Sequence, residues 1–332
     1  MKMIIFKNDE FSYPIFIISY NRPNANASTI TSFINFGIKF NVVVHKEQLE
    51  DYKRYFNSPL VNWIIFDDEY KHKYETLSNV SSYEKNAGSG AERNFAWDCA
   101  KNAGYTAYWN FDDNMTFCYQ TGKTTSSNKS YERKRLTDSA QFKRLFKRAE
   151  DFYDTYDNLF IMELGESTYF GFRNHPVQNR RCYSALLINT AIPTQWRGRY
   201  NEDTIMSIDC LINGFCTLQS PILLKNKQST RSAKGGNHSV GKGKDDLKNQ
   251  VYSDAIDYEF SSSLKSQLLV AVYPQYCYLK YRVGRIHHGY NNEAWASFKQ
   301  QLHPAKVKGQ KQKIYTWRVS HNIFDEKGAK IK

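Results

Sequence analysis

The stretch Thr106-Ala107-Tyr108-Trp109-Asn110-Phe111-Asp112-Asp113-Asn114 is a short apolar run that ends in two acids and an amide. Its aromatic residues and its length predict a buried strand over 106–111. A helical pattern at 91–102 precedes this strand, and strand and helix patterns alternate in the same way before it. Such alternation predicts an α/β fold with a mostly parallel sheet flanked by helices.

Outward from this strand, periodicity locates the other elements. Before it we predict strands at 14–19, 40–45 and 61–66 and helices at 27–36 and 48–56. After it we predict helices at 136–156 and 202–213, strands at 159–164, 183–189 and 216–219, and loops at 122–130 and 226–248. Ligands of open parallel sheets bind at the carboxyl ends of the strands. We therefore expect Ser19–Arg22, Asp67-Asp68 and Asp112–Asn114 along one rim.

Composition indicates a folded protein with a polyanionic partner. The 332 residues are 41% hydrophobic and 15% aromatic, which is enough for a real core. The net charge of +13 favours nucleic acid first and an acidic membrane surface second. The alternative is a solvated basic surface without a specific partner.

Cysteine spacing argues against a zinc or redox site, and hydropathy argues against a secreted or membrane-spanning protein. None of the six cysteines forms a pair with the two-residue spacing of a zinc or redox site, so we predict reduced, buried thiols. The first eleven residues are too short an apolar run for a signal peptide. The longest later apolar run, at 268–273, cannot span a bilayer. We expect no membrane association.

Asp112-Asp113-Asn114 is the strongest local signal for chemistry. Closely spaced acids at a strand end hold hard divalent cations, and such a cation neutralises a diphosphate. The alternative is a turn in which the acids cap the next segment. Earlier in the chain, Gly88–Asn94 combines glycines, Arg93 and Asn94 at a helix start, which suits a phosphate or a ribose. An ordinary glycine loop is the alternative there.

Acids also precede the helix predicted at 202–213. Either Glu202 or Asp203 would be placed to deprotonate an acceptor hydroxyl, although acids at a helix start are also favoured by the helix dipole. Residues 236–243 have the spacing of a P-loop but end in Gly243 and follow no buried strand, which excludes an ATPase. His238 in this loop is a candidate for a metal site or a diphosphate contact, or else a solvated loop residue. His287-His288 is a weaker ligand candidate.

Basic residues cluster around the late loop and in the tail from Pro304. They would track a phosphate backbone, or else form a solvated face. In the loop region they are Lys225, Lys227, Arg231, Lys234, Lys242, Lys244 and Lys248.

The order of these motifs resembles the GT-A glycosyltransferases. The matching pieces are Ile17–Pro23 after the first strand, Gly90–Asn94 at a helix start, Asp112–Asn114, Glu202-Asp203 and Gly235–His238. More narrowly, Ser-Tyr-Asn-Arg-Pro, Arg-Asn-x-x-Trp, Trp-Asn-x-Asp-Asp-Asn, Asn-Glu-Asp and Gly-Gly-Asn resemble the TET-associated glycosyltransferases, which modify hydroxymethylated pyrimidines in bacteriophage DNA. The resemblance covers about residues 14–245. The chain departs from it at Asn114, where the metal motif has an acid.

The resemblance implies the fold and the site. It implies a GT-A, Rossmann-like sheet with a mixed α+β C-terminal part. It places a nucleotide-sugar half at 1–120, an acceptor half at 121–250, and a C-terminal extension with a basic tail, packed on the core, at 251–332. The donor, a UDP-sugar, is expected at Ser19, Tyr20, Asn21, Arg22, Asp67, Arg93, Asn94 and Asp112. Mn²⁺ or Mg²⁺ is expected at Asp112, Asp113, Asn114 and His238.

For catalysis, the resemblance implies Asp203 as the base, with Glu202 beside it, if the reaction inverts the anomeric centre. A retaining reaction needs no such base, and both alternatives stay open. Acceptor or DNA contacts are expected from Glu163, Arg173, Lys227, Arg231, Lys234, Lys242 and Lys244.

The implied reaction is transfer of glucose or arabinose to 5-hydroxymethylcytosine, or to a sugar already on it, in double-stranded phage DNA. It would occur in the cytoplasm of the infected bacterium and need no obligate protein partner. One alternative is the same fold acting on a glycan or protein acceptor. The other is a DNA-binding protein without catalysis.

Overall fold

The computed structural model describes residues 4–77, 89–124, 130–227, 265–282 and 285–305. Its first half contains β1 (Ile15–Ile18), α1 (Ser28–Asn35), β2 (Phe40–Val44), α2 (Leu49–Tyr55), β3 (Val61–Ile65), α3 (Glu69–Lys73), α4 (Gly90–Asn102) and β4 (Ala107–Asp112). Then follow β5 (Met115–Thr124), β6 (Tyr131–Arg135), α5 (Ser139–Tyr153), β7 (Leu159–Glu166), β8 (Val177–Gln178), β9 (Ala185–Asn189), α6 (Glu202–Ile212) and β10 (Cys216–Lys227). The C-terminal part contains α7 (265–272), β11 (Cys277–Arg282), β12 (Arg285–Tyr290) and α8 (Asn292–Ala296).

The described strands β1 to β10 form one sheet in the order β3-β2-β1-β4-β9-β7-β10-β5-β6, with β8 paired to β10. Strands β3, β2, β1 and β4 are parallel neighbours. Strand β9 is antiparallel to both β4 and β7, and β10 is parallel to β7. Strands β7 and β10 therefore run in the direction of β1, which confirms the predicted mostly parallel α/β sheet.

Alternation along the strands buries both faces of the sheet. In β1, Ile15 and Ile17 belong to the core under α1, α2 and α5, whereas Phe16 and Ile18 belong to the core under α4 and α6. Side chains of a strand alternate between its faces, so a strand covered on both sides has no polar position. This explains why β1 reads as a continuous apolar run.

The C-terminal residues pack on the outer side of α6. Ile205, Ile208 and Leu211 contact Leu269 of α7 and Trp295 of α8 in a separate apolar cluster. Helix α6 is therefore buried on two sides, against the sheet and against the C-terminal helices. None of the described helices has the length and apolar character needed to cross a membrane.

The region after β4 differs from its sequence prediction. The predicted loop at 122–130 begins instead inside β5 and is followed by β6, which pairs with β5. Strand β10 continues through Lys225 to Lys227, beyond the predicted end at 219. The long strand was not evident because its last residues are basic, and their burial depends on partners far away in the chain.

Glu150 links three parts of the fold through its buried carboxylate. It accepts hydrogen bonds from the backbone N–H groups of Ser12 (2.7 Å) and Tyr13 (3.3 Å) and from the indole N–H of Trp109 (3.0 Å). We expect Glu150→Ala to lower the free energy of unfolding by about 3 kcal/mol, because buried N–H donors lose their acceptor.

This loss is measured by urea unfolding followed through tryptophan fluorescence. The matched control is Glu50→Ala on α2, where the side chain is 77% exposed. The control should change the free energy of unfolding by less than about 1 kcal/mol. Equal unfolding midpoints for the two variants would contradict the assigned role of Glu150.

Candidate functional site

The candidate site lies where strand order reverses. The chain moves outward from β1 to β2 and β3, then returns across β1 to place β4 on its other side. The gap above β1 and β4 is the switch point at which open parallel sheets bind ligands. Ile18 is in register with Asp112, so the segment after β1 and the acids after β4 meet at this point. The predicted convergence of these two segments is confirmed.

Asp113 anchors the segment that follows β1. Its carboxylate accepts a hydrogen bond from Ser19 Oγ at 2.6 Å and pairs with the Arg22 guanidinium. Tyr52 completes the cluster, since its hydroxyl lies 2.6 Å from Ser19 Oγ and accepts the Arg22 N–H at 2.9 Å. Burial raises the pKa of Asp113 although Arg22 and Ser19 favour its charged form. Asp113 therefore shapes the loop rather than presenting a free carboxylate.

We expect Asp113→Asn to lower the free energy of unfolding by about 3 kcal/mol, because Arg22 loses its charge partner at a largely buried site. The control is Asp51→Asn, which breaks an exposed pair with Arg54 and should cost at most about 1 kcal/mol. Chemical denaturation of both variants measures the difference. An Asp113→Asn protein as stable as the control would refute this anchoring role.

Asp112 lies between two cations. One carboxylate oxygen accepts from Arg93 Nη2 at 2.6 Å, and the other accepts from Lys227 Nζ at 2.6 Å. Lys227 also donates to Ser184 Oγ at 2.8 Å. Burial alone would raise the pKa of Asp112, but the charges of Lys227 and Arg93 outweigh it and lower the pKa. Asp112 is therefore an ionised carboxylate, and its side chain is 19% exposed.

Arg93 is the centre of the site and is almost fully buried. Besides Asp112 it donates to Asn110 Oδ1, and its guanidinium lies 4.9 Å from the centre of the Trp196 ring. It enters from the first turn of α4, whose Gly90 packs directly on the ring of Tyr74. A Cβ at Gly90 would lie 1.9 Å from the Tyr74 hydroxyl, so the helix start requires glycine. This close packing fixes the position of Arg93.

The first turn of α6 places two acids beside these cations. Glu202 accepts a hydrogen bond from Ser89 Oγ at 2.8 Å and lies 4.0 Å from Arg93 Nε. Burial and the charge of Asp203 raise the pKa of Glu202. Burial lowers the pKa of Lys227. The charges of Asp112 and, more weakly, Asp203 outweigh burial, so the pKa is raised overall. Asp203 is therefore within electrostatic reach of the Asp112 cluster.

The structure places four further predicted donor residues as follows. Asn94 exchanges two hydrogen bonds of 2.9 Å with the backbone of Trp196, so its amide is used within the fold. Asp67 is exposed at the same rim and accepts the N–H of Glu69 at 3.0 Å. Asn21 has a left-handed backbone (φ 54°), and the ring of Tyr20 lies 4.9 Å from that of His45.

Three residues expected on the acceptor side need correction or placement. Glu163 is fully buried and pairs with Lys225, so it presents nothing to a bound molecule. Lys227 pairs instead with Asp112 at the end of β4. Arg173 is exposed and stacks on Tyr169 at 4.5 Å from the ring centre. The remaining predicted residues lie outside the described part of the chain: Gly88, Arg231, Lys234, His238, Lys242 and Lys244.

Sequence reasoning missed the residues that support the site. Tyr52 orients Ser19 and Arg22, Asn110 and Trp196 hold Arg93, and Ser184 holds Lys227. One signal was present, since Asn110 is a polar residue inside an aromatic strand and is fully buried. The others reach the site from distant positions, and no local pattern identifies them.

A divalent cation would find two oxygen ligands here. Asp112 is ionised, and Asn114 Oδ1 is buried without a hydrogen-bond partner among the described residues. Within the same residues, no three acidic, histidine or cysteine side chains form a metal cage. Mg²⁺ in nucleotide sites typically takes one or two protein oxygens plus substrate phosphates and water. Asn114 and Asp112 would fit that mode, with the cation replacing Lys227 or Arg93 on one oxygen of the partly exposed Asp112. Asp113 is buried, and both its oxygens are engaged by Ser19 and Arg22.

Comparison with known proteins identifies the family to which the sequence is similar. The pattern that defines the TET-associated glycosyltransferases matches residues 13–236, which is most of the chain. No curated protein matches the sequence. Among solved structures, "Crystal structure of GalNAc-T7 with UDP, GalNAc and Mn2+" is similar at a TM-score of 0.33 and 13% identity. That similarity covers 78% of this chain and 52% of the other, so the chain spans about half the length of that protein.

Proposed function

The chain belongs to the TET-associated glycosyltransferases, and from this membership we propose that it transfers a sugar from a UDP-sugar to 5-hydroxymethylcytosine in double-stranded DNA. The sugar is glucose or arabinose, and the acceptor is the hydroxymethyl group or a sugar already attached to it. We place the reaction on bacteriophage DNA in the cytoplasm of the infected cell. The net charge of +13 supports a polyanionic acceptor.

The observation that carries this proposal is the position of Asp112. It lies at the switch point of the sheet, between the cations of Arg93 and Lys227 and within reach of the acids that begin α6. A departing nucleoside diphosphate gains negative charge as its bond to the sugar breaks. Preorganised cations at that position stabilise the transition state more than the ground state.

Each residue has a role in the proposed step. The acceptor oxygen bonds to the anomeric carbon, the bond from that carbon to the diphosphate breaks, and UDP leaves. Asp203 accepts the acceptor proton, as an inverting reaction requires. Lys227, whose side chain is 29% exposed, faces the diphosphate, and the buried Arg93 holds Asp112 in place. Asp112 and Asn114 would hold Mn²⁺ or Mg²⁺, which when bound supplies further positive charge to the leaving group.

Incubation of hydroxymethylated duplex DNA with UDP-glucose, UDP-arabinose and other common UDP-sugars in the presence of Mn²⁺ tests this function. We expect nucleoside mass spectrometry to detect a mass increase of one sugar residue on hydroxymethylcytosine. The same duplex with ordinary cytosine is the control and should stay unchanged. Unmodified nucleosides with every donor, from protein that is folded by circular dichroism, would refute the proposal.

A further inference from the structure

In the β11–β12 hairpin, strand β11 is exposed along most of its length, whereas residues 286–290 of β12 are half-buried or buried. Tyr278, Leu279 and Tyr281 are 49%, 44% and 75% exposed, and Lys280 and Arg282 are exposed as well. The two strands pair with each other and with no other strand in the described part of the chain. An exposed ribbon with aromatic and basic residues needs a partner or a functional reason, because such side chains otherwise favour aggregation.

The two faces of the hairpin differ. Residues directly opposite in an antiparallel pair share a face. One face carries the pairs Cys277–Tyr290 and Leu279–His288, and Cys277 is buried in the cluster on α6. The other face carries Tyr278 opposite Gly289, and Lys280 opposite His287, with Arg282 in register with Arg285. The outer face is therefore basic and aromatic.

A glycine holds the outer aromatic ring in place. A Cβ at Gly289 would lie 2.5 Å from the ring of Tyr278, so the ring lies across the glycine backbone. The sequence between residues 277 and 292 contains Lys280, Arg282 and Arg285 and no acidic residue. A face that carries Lys280 and Arg282 and no acidic residue is complementary to a phosphate backbone.

The root of the hairpin adjoins the proposed catalytic acid. The Tyr290 hydroxyl accepts a hydrogen bond from Arg181 Nη1 at 3.1 Å and also contacts Thr204, the residue after Asp203. The base of the hairpin therefore contacts the first turn of α6, which also carries Asp203. A two-stranded ribbon fits the major groove of B-DNA, which is about 12 Å wide. The hydroxymethyl group of the proposed acceptor projects into that groove.

We propose that the β11–β12 hairpin is a duplex-DNA contact element, with Lys280 and Arg282 on phosphates and Tyr278 against the groove wall. This inference rests on the proposed function. The hairpin would hold the duplex while the acceptor nucleotide reaches Asp203.

The double variant Lys280→Ala/Arg282→Ala tests the inference by fluorescence anisotropy with a labelled duplex that lacks hydroxymethylcytosine, without donor. We expect Kd to rise about tenfold and the slope of log K against log salt to fall in magnitude by about 2. The control is Lys53→Ala/Arg54→Ala on α2, which removes the same charge from exposed positions and should leave both values unchanged. The charge-conserving Lys280→Arg/Arg282→Lys variant should bind like the parent.

An unchanged Kd and slope in the alanine variant would overturn the inference, as would tighter binding of single-stranded RNA than of the duplex. Donor hydrolysis by the alanine variant should match the parent, which separates DNA contact from donor chemistry. Failure of sugar transfer in the parent with normal DNA binding would sink the proposed function instead. The binding assay uses no acceptor base and no donor, so the two failures are distinguishable.

Discussion

Replacing Asp112 with asparagine should lower kcat/KM for sugar transfer by about a thousandfold. The substitution removes the charge that holds Arg93 and Lys227 in place, and it removes the acid that fits a divalent cation. Arg93 and Lys227 would then lose their fixed positions. At the same time, less of the negative charge on the departing diphosphate would be neutralised. Transfer rates over a range of hydroxymethylated DNA concentrations, at saturating donor, give kcat/KM for the DNA.

A matched control and a second readout make this prediction decisive. Asp68→Asn changes an exposed acid on the same rim and should stay within about threefold of the parent. Binding of Mn²⁺ in the presence of UDP, followed by electron paramagnetic resonance, should weaken in Asp112→Asn and not in Asp113→Asn. Normal Mn²⁺ binding by folded Asp112→Asn protein would show that the cation is held elsewhere.

Asp203→Asn should reduce kcat by about 10²–10⁴-fold while leaving UDP affinity within about threefold. A general base removes the acceptor proton in the transition state and contributes nothing to donor binding, so the loss belongs to kcat. Steady-state transfer rates and a UDP titration of the variant measure the two quantities.

The neighbouring Glu202→Gln variant is the natural comparison, because it makes the same chemical change one residue away. Glu202 already accepts a hydrogen bond from Ser89, and its pKa is raised by burial and by Asp203. We expect a decrease in kcat of less than about tenfold. A larger loss in Glu202→Gln than in Asp203→Asn would transfer the role of base to Glu202. If both variants transferred sugar as fast as the parent, that result would favour a retaining reaction.

The fold of the first 120 residues was predictable because its strands and helices have clear local sequence patterns. Strand β1 was predicted at 14–19 and observed at Ile15–Ile18, and helix α4 was predicted at 91–102 and observed at Gly90–Asn102. Strands buried on both faces are continuous apolar runs, and helices with one buried face have a clear period. The order of strands then follows from the rules for parallel sheets.

The chemistry of the site was predictable only in part. The polar ends of β1 and β4 do meet, because register in a parallel sheet requires it. The different roles of Asp112 and Asp113 could not be predicted from the sequence. They depend on contacts with Arg22, Arg93 and Lys227, at separations of 19–115 residues. Lys227 looked like part of a basic loop. Its role is set by the continuation of β10 beside β5, which the sequence pattern does not indicate.

The packing of Tyr74 has a consequence for how the chain folds during synthesis. Its hydroxyl donates to the carbonyl of Gly198, 124 residues later, while its ring covers the start of α4 at Gly90. Strand β9, which seals the open side of β4, also comes from late in the chain. Contacts of such long sequence separation form slowly. We therefore expect a ribosome-bound nascent chain to expose the unpaired edge of β4 until β9, at Ala185–Asn189, has emerged, and an unpaired strand edge is prone to aggregation.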